Sequence, residues 1–152
     1  MLLGIASPVT KRVPTTMIEL RACIDVDDLD KAIAFYTQTL GLKLGRRLGS
    51  DWAELLGATS PIDLLASPSG SPASPSAALV RDYRRHWTPV HLDFTVTGLD
   101  EVVRRAQAAG ATLERDIQER EWGRMANLAD PFGHGFCLLE FKGRGYDTLL
   151  EG

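Results

Sequence analysis

The chain has 152 residues, is 44% hydrophobic and 24% charged, and carries a formal net charge of -3 with a pI near 5.6, the composition of one ordinary globular domain. The slight negative charge offers no general attraction to phosphate backbones or anionic lipid, so neither nucleic acid nor membrane is an expected partner. No apolar run approaches the roughly 20 residues of a membrane helix, residues 1–6 are too short and lack the basic lead of a secretory signal, and Cys23 and Cys137 form no C-x-x-C pair, so a reduced, cytoplasmic setting is expected.

Residues 1–15 read as an irregular arm. From Ile18 the apolar residues Ile18, Leu20, Ala22, Ile24 and Val26 alternate with Glu19, Arg21, Cys23 and Asp25, the period of a half-buried strand. A helix follows, with Leu29, Ala32, Ile33, Tyr36 and Leu40 on one stripe. Asp28 is its expected N-cap and Gly41 its stop. Three short strands then fit residues 42–48, 52–56 and 62–66. The segment 66–78, ASPSGSPASPSAA, has too little apolar surface to pack and reads as a mobile loop. Arg81, Arg84, Arg85 and His86 beside Asp82 read as a solvated connector.

Seventy residues after Leu20, the pattern returns: Val90, Leu92, Phe94 and Val96 alternate with His91, Asp93, Thr95 and Thr97. The second helix carries Leu99, Val102, Val103, Ala106 and Ala109, with Thr97 and Asp100 as an expected capping pair and Gly110 as its stop. Strands are expected at 111–117, 124–129 and 136–141. Between the last two, Asp130-Pro131-Phe132-Gly133 has the residue preferences of a type I turn. The internal repeat divides the chain into an arm (1–15), a first βαβββ module (16–66), a connector (67–87), a second module (88–143) and a tail (144–152), one domain overall. In the tail, Leu149 and Leu150 are apolar enough to dock on a neighbouring surface.

The runs DVDDLDKAIAFYTQTLGLKLG, HLDFTVTGLDEVVRRAQAAGA and WGRMANLADPFGHGFCLLEF resemble the vicinal oxygen chelate superfamily, the glyoxalase, bleomycin-resistance and extradiol-dioxygenase group. The resemblance covers residues 17–142. It implies an α+β fold in which two tandem βαβββ modules form curved mixed sheets around a cleft, and a homodimer is expected. Matched strand by strand, the superfamily's metal-ligand positions fall on Arg21, Asp63, His91 and Cys137. Arginine offers only donors, and one oxygen, one imidazole and one sulfur do not make a hard octahedral site. No metal cofactor is therefore expected; if a divalent ion does bind, Asp63 and His91 are the fallback ligands. Glu140 is a conceivable third, although it is out of phase with Cys137 and Leu139.

The superfamily's strand order places Arg21 beside Asp63 and His91 beside Cys137, so an ion pair is expected to stand where a metal would carry positive charge. Each residue has two readings. Arg21 and Asp63 form a structural pair or meet a ligand; His91 is a structural histidine, a ligand contact or a proton carrier; Cys137 is a small buried side chain or a nucleophile. Asp25 and Asp93 extend the cleft-facing rows or face water. Trp122 is expected to stack on a planar ligand and Arg124 to meet an anionic group, while Trp52 is expected in the core. The expected function is a glyoxalase- or bleomycin-resistance-like protein that holds a small organic molecule in its cleft without a metal. The alternatives are a metal-dependent lyase, isomerase or dioxygenase, and a metal-free enzyme in which Arg21 stabilises an oxyanion and His91 moves a proton.

Overall fold

The computed structural model describes residues 18–76, 78–86 and 88–151; the expected arm at 1–15 and Trp87 lie outside them. The first module is β1 (Ala22–Val26), α1 (Leu29–Leu40), β2 (Lys43–Leu48), β3 (Trp52–Leu56) and β4 (Ile62–Ala66). The second is β5 (Leu92–Thr95), α2 (Leu99–Ala108), β6 (Thr112–Leu113), β7 (Gln118–Arg120), β8 (Gly123–Ala129) and β9 (Gly135–Phe141). A 3-10 helix, Gly145–Glu151, closes the described chain.

The strands form two open mixed sheets, in the orders β1-β4-β3-β2 and β5-β9-β8-β6, with β7 also on β8. In each, the first strand lies parallel to the last and the others run antiparallel. Such a parallel pair needs a crossover, and the helix supplies it. The helices pack on one face of the sheets and on each other. Their apolar stripes, including Phe35, Tyr36, Leu99 and Val103, join Leu55, Leu64, Leu128 and Leu138 in one core, each such side chain contributing about 1.5–3 kcal/mol by burial. No helix among the described residues is long and apolar enough to cross a membrane.

Asp28 caps α1 as expected, accepting from the Lys31 amide at 3.0 Å, and Gly41 ends it in the left-handed region at φ 69°. The expected cap of α2 does not form. The chain enters that helix through left-handed Gly98 (φ 74°), which has no side-chain cap. Instead, Glu140 on β9 accepts from the amides of Gly98 and Leu99 at 2.7 and 3.0 Å. A carboxylate from the neighbouring strand thus satisfies the orphan donors and opposes the helix dipole.

Three strand expectations are corrected. β1 starts at Ala22 and β5 at Leu92, where their partners Ile62 and Phe136 begin; Ile18, Leu20 and Val90 have no ladder and stand 98%, 72% and 82% exposed. The strand expected at 111–117 is split, because the ladder to β8 lapses after Glu114 and resumes at Gln118.

The connector is not a bare loop either: the Gly70 amide donates to the Arg81 carbonyl and the Arg81 amide to the Ser71 carbonyl, at 2.8 Å each. Nor are its arginines merely solvated, since Arg81 pairs with Asp25 at 2.6 Å and Arg85 with Glu114 at 2.5 Å. These ties hold the connector against both modules. Three further bonds join the modules directly: Tyr36 Oη donates to Asp130 at 2.6 Å, the His134 ring bonds the Asp25 carbonyl at 2.6 Å, and Arg105 donates to the Thr39 carbonyl at 3.2 Å. The Asp130–Gly133 turn forms, with the Gly133 amide on the Asp130 carbonyl at 3.2 Å. Asp130, buried to 5% exposure, therefore both shapes that turn and receives Tyr36 from the other module.

Candidate functional site

Period-2 alternation decides which side chains leave the helix-covered face. On β1 these are Cys23 and Asp25, with Arg21 just ahead of the strand; on β5 they are Asp93 and Thr95, with His91 just ahead. Between the two strands lies a cavity of about 630 Å³. Its apolar wall includes Ala22, Ile24, Phe94 and Phe136, and its polar groups include Arg21, Asp25, His91 and His134. Tyr36 also lines it, but its hydroxyl is committed to Asp130, and burial together with that carboxylate holds its proton well above the usual phenol range.

In the first module the structure brings Arg21 and Asp63 together in a bidentate pair, at 2.8 Å from Nε and 2.6 Å from Nη2. The pair is half of a larger array. Glu54, directly opposite Asp63 on β3, accepts from Arg21 at 2.7 Å and from Arg46 at 2.9 and 2.6 Å. Arg46, then Arg21, hold the Glu54 carboxyl well below its usual range, at about 2. Hydrogen bonds donated to Asp63 and then to Glu54 raise the Arg21 guanidinium pKa in turn. Two cations and two carboxylates thus form a closed, locally neutral network.

In the second module Asp93 lies directly opposite Cys137 on β9, and His91 Nε2 is 3.1 Å from Asp93. One potential ligand atom from each of His91, Asp93 and Cys137 lies within 4.8 Å of the others. Burial, then the Asp93 carboxylate, pushes the Cys137 thiol up to about 11, which makes it a weak nucleophile at neutral pH. Beside it, Asn127 Nδ2 is 3.0 Å from Cys137 Sγ. Arg115 and Gln118 both donate to Asn127 Oδ1, at 2.7 and 3.0 Å, which fixes the amide with its donor toward the sulfur.

Three expected positions come out differently. Arg124 faces α2 from the helix side of β8, where it pairs with Asp100 at 2.7 Å, Glu119 at 3.1 Å and Glu140 at 3.3 Å; its charge is spent on structural carboxylates. Glu140, out of phase with Cys137 as expected, faces the helices and caps α2. Trp122 packs with Phe141 and Tyr146 in a three-ring cluster, at centroid distances of 5.8 and 5.0 Å. Trp52 is half-buried rather than in the core, with the Arg46 guanidinium 5.8 Å from its ring. Glu54, Arg46 and Asn127 were not anticipated. Glu54 alternates in phase with Trp52, which was expected in the core, so parity pointed it to the wrong face, and only the register puts it opposite Asp63.

These residues do not fit the hard divalent centre that the superfamily builds from both modules. The first module presents a protonated guanidinium at a ligand position, and both oxygens of Asp63, the expected fallback ligand, are bonded to it. The second module's donors include a thiol, which favours softer ions.

Residues 21–139 match the family model described as a glyoxalase-like domain. An uncharacterized protein of Mycobacterium bovis is 33% identical over 124 residues, covering 74% of this chain and 76% of its own length. The anthracycline biosynthesis protein DauV of Streptomyces sp. (strain C5) is 32% identical over 131 residues; 83% of this chain is aligned, but only 42% of DauV, so the chain spans less than half of that relative. Among solved structures, a fosfomycin resistance protein of Listeria monocytogenes, FosX, complexed with Mn(II) and a dihydroxypropylphosphonic acid, superposes with a TM-score of 0.64 at 22% identity, over 88% of this chain and 95% of FosX. The shared fold, the duplicated module and the family match agree: the chain belongs to the glyoxalase-like domain family, with the fold of solved glyoxalase/bleomycin resistance/dioxygenase proteins.

Proposed function

We propose that the protein binds a small, planar, largely apolar organic molecule in the cavity between β1 and β5, as a sequestration or resistance protein does, and does so without the superfamily's hard divalent metal. The observation that carries this reading is the cavity itself. Its volume of about 630 Å³ falls within the range of about 300–1,000 Å³ usual for ligand sites, and it combines apolar walls with a few polar groups. The Arg21 network supports binding over oxyanion chemistry, because a guanidinium already bonded to two carboxylates has little charge left for a developing anion. A relative named for anthracycline biosynthesis supports a polycyclic aromatic ligand. The proposal includes a homodimer, for which exposed Leu20 and Val90 at the cavity's rim, with exposed Ile18 two residues before Leu20, offer apolar surface; sedimentation of the full chain tests that part.

The test is isothermal titration of the full chain with a panel of polycyclic aromatic compounds that includes an anthracycline. Micromolar binding to one site is expected, weakened at least about 10-fold by Ala22→Phe, which fills the cavity, with no loss of far-ultraviolet circular dichroism. Binding unchanged in that variant, or no binding across the panel, contradicts the proposal.

A further inference from the structure

Every residue from Leu20 to Asp25 lines the cavity, although successive side chains of a strand leave opposite faces of its sheet. A wall that shows both parities is a strand seen edge-on, and β1 is an edge strand, paired with β4 alone. In a parallel ladder every second residue turns both its N–H and its C=O to the partner strand, and the residues between turn theirs away. The Ala22 amide donates to the Pro61 carbonyl at 3.3 Å and the Val26 carbonyl accepts from the Ser67 amide at 2.8 Å. The even residues of β1 therefore serve β4, while Cys23 and Asp25 direct their main-chain groups away from it, toward the cavity. One of these groups is already used: His134, from the second module, donates through Nε2 to the Asp25 carbonyl at 2.6 Å, an aromatic ring N–H set against the open edge. Among the described residues no hydrogen bond reaches the N–H or the C=O of Cys23.

We propose that the planar molecule held in this cavity carries a cyclic amide or imide edge, and that this edge pairs with the main chain of Cys23; the inference rests on the cavity-binding reading and names the chemistry of its ligand. A lactam or imide ring sets an N–H beside a C=O. The ring N–H donates to the Cys23 carbonyl and the ring carbonyl accepts from the Cys23 amide, so the ligand adds to the sheet edge as an extra strand would. Beyond that edge, the ring system meets the apolar wall of Phe94 and Phe136. The charged side chains beside β1 are committed elsewhere, Arg21 to Asp63 and Glu54 and Asp25 to Arg81, which leaves neutral main-chain groups to read the ligand. A main-chain pair held by the β4 ladder cannot turn away as a side chain can. A molecule of the same size without the complementary edge therefore leaves a donor and an acceptor desolvated and unpaired, and is rejected.

The test compares naphthalimide, whose imide edge is complete, with its N-methyl derivative, which lacks the ring N–H, by isothermal titration of the full chain. Naphthalimide is expected to bind at least about 10-fold more tightly. Cys23→Pro removes the amide N–H at a position turned away from the ladder, where an edge strand accepts proline, and Cys23→Val, which alters the same side chain and keeps the N–H, is its reference. The preference should persist in Cys23→Val and fall below about 3-fold in Cys23→Pro, with circular dichroism checking that both are folded. A measurement on the unaltered chain stands beside the variants: saturation with naphthalimide should move the Cys23 amide proton downfield, further than the N-methyl compound does. Equal affinity for the two compounds, a preference that survives Cys23→Pro, or a Cys23 amide proton that does not move overturns the inference. If both compounds bind equally and Ala22→Phe weakens both, the cavity reading stands and only the edge pairing falls. Binding of neither overturns the inference alone when the polycyclic panel binds, and the cavity reading with it when the panel does not.

Discussion

The two modules share one ladder and diverge in what stands on it. Advancing the first by seventy residues carries Arg21 to His91 and Cys23 to Asp93. The parallel pair is Cys23 opposite Asp63 in one module and Asp93 opposite Cys137 in the other, the same two residue types with their strands exchanged. One strand further on, Glu54 lies opposite Asp63 and Asn127 opposite Cys137. Each takes an arginine at its outer side, Arg46 or Arg115. Four positions thus correspond, yet the first module holds two cations and two anions that neutralise each other, while the second holds an imidazole, a thiol, a carboxylate and an amide, with Arg115 as its one cation. The same strand frame can therefore carry a self-satisfied ion network in one module and an imidazole, thiol and carboxylate cluster in the other. The difference comes from a few side chains and leaves the packing untouched.

Thiol reactivity should show the largest contrast. Cys137, with its pKa near 11, has on the order of a thousandth of its population as thiolate at pH 8. In chelator-treated protein, iodoacetamide should label exposed Cys23 first and Cys137 about 100-fold more slowly, read by peptide mass spectrometry. Equal rates would mean that Cys137 is neither buried nor held by Asp93. Thermal stability should separate Arg21 from its counterpart. Arg21→Met strips the nearly buried Asp63 and Glu54 of a shared cation and is expected to lower Tm by roughly 5 °C; His91→Ala, on the more open floor, should change it by less than about 2 °C. A larger fall for His91→Ala would reverse the contrast between the two floors.

Acid should act on the first floor in the direction set by Glu54. Its folded pKa, about 2, lies below the unfolded value near 4.3, so its contribution is fully present above that unfolded value and is lost as pH falls toward 2. The urea midpoint should drop between pH 5 and pH 3, and drop less in Glu54→Gln. An identical pH dependence in both proteins would mean that Glu54 is not held by Arg46 and Arg21. Arg46→Met should have the smallest effect: its side chain is 72% exposed, and most of its interaction with Glu54 is screened by water, so a Tm within about 1 °C of the parent is expected.

Much of this arrangement could be read from the sequence because strand parity is a local signal. Alternation from Ala22 to Val26 and from Leu92 to Thr95 told which side chains share a face, and the helix stripes with Asp28 and Gly41 fixed α1. What could not be read was mostly non-local. The Glu140 cap of α2 spans more than forty residues, so the local Thr97–Asp100 pattern looked sufficient. Glu140's place on the helix side of β9 followed from its phase against Cys137, but Arg124 shares that side of β8, where GRMANLA mixes small and apolar residues on both faces and gave no parity. Trp52 and Trp122 are both large rings in short strands or turns, and only the three-ring cluster with Phe141 and Tyr146 separates their roles. The His91-x-Asp93 spacing was visible from the start; the expected neighbour of Cys137 was His91, and only the register shows Asp93 directly opposite the sulfur.

The most direct test of ligand binding between the modules is a two-dimensional amide NMR titration of the full chain with the tightest-binding polycyclic aromatic compound of the panel. Saturable shifts should concentrate at residues 22–25, 91–94 and 134–136, which surround the cavity. Shifts confined to the Trp122–Phe141–Tyr146 cluster, or spread evenly over the surface, would contradict a ligand site between β1 and β5.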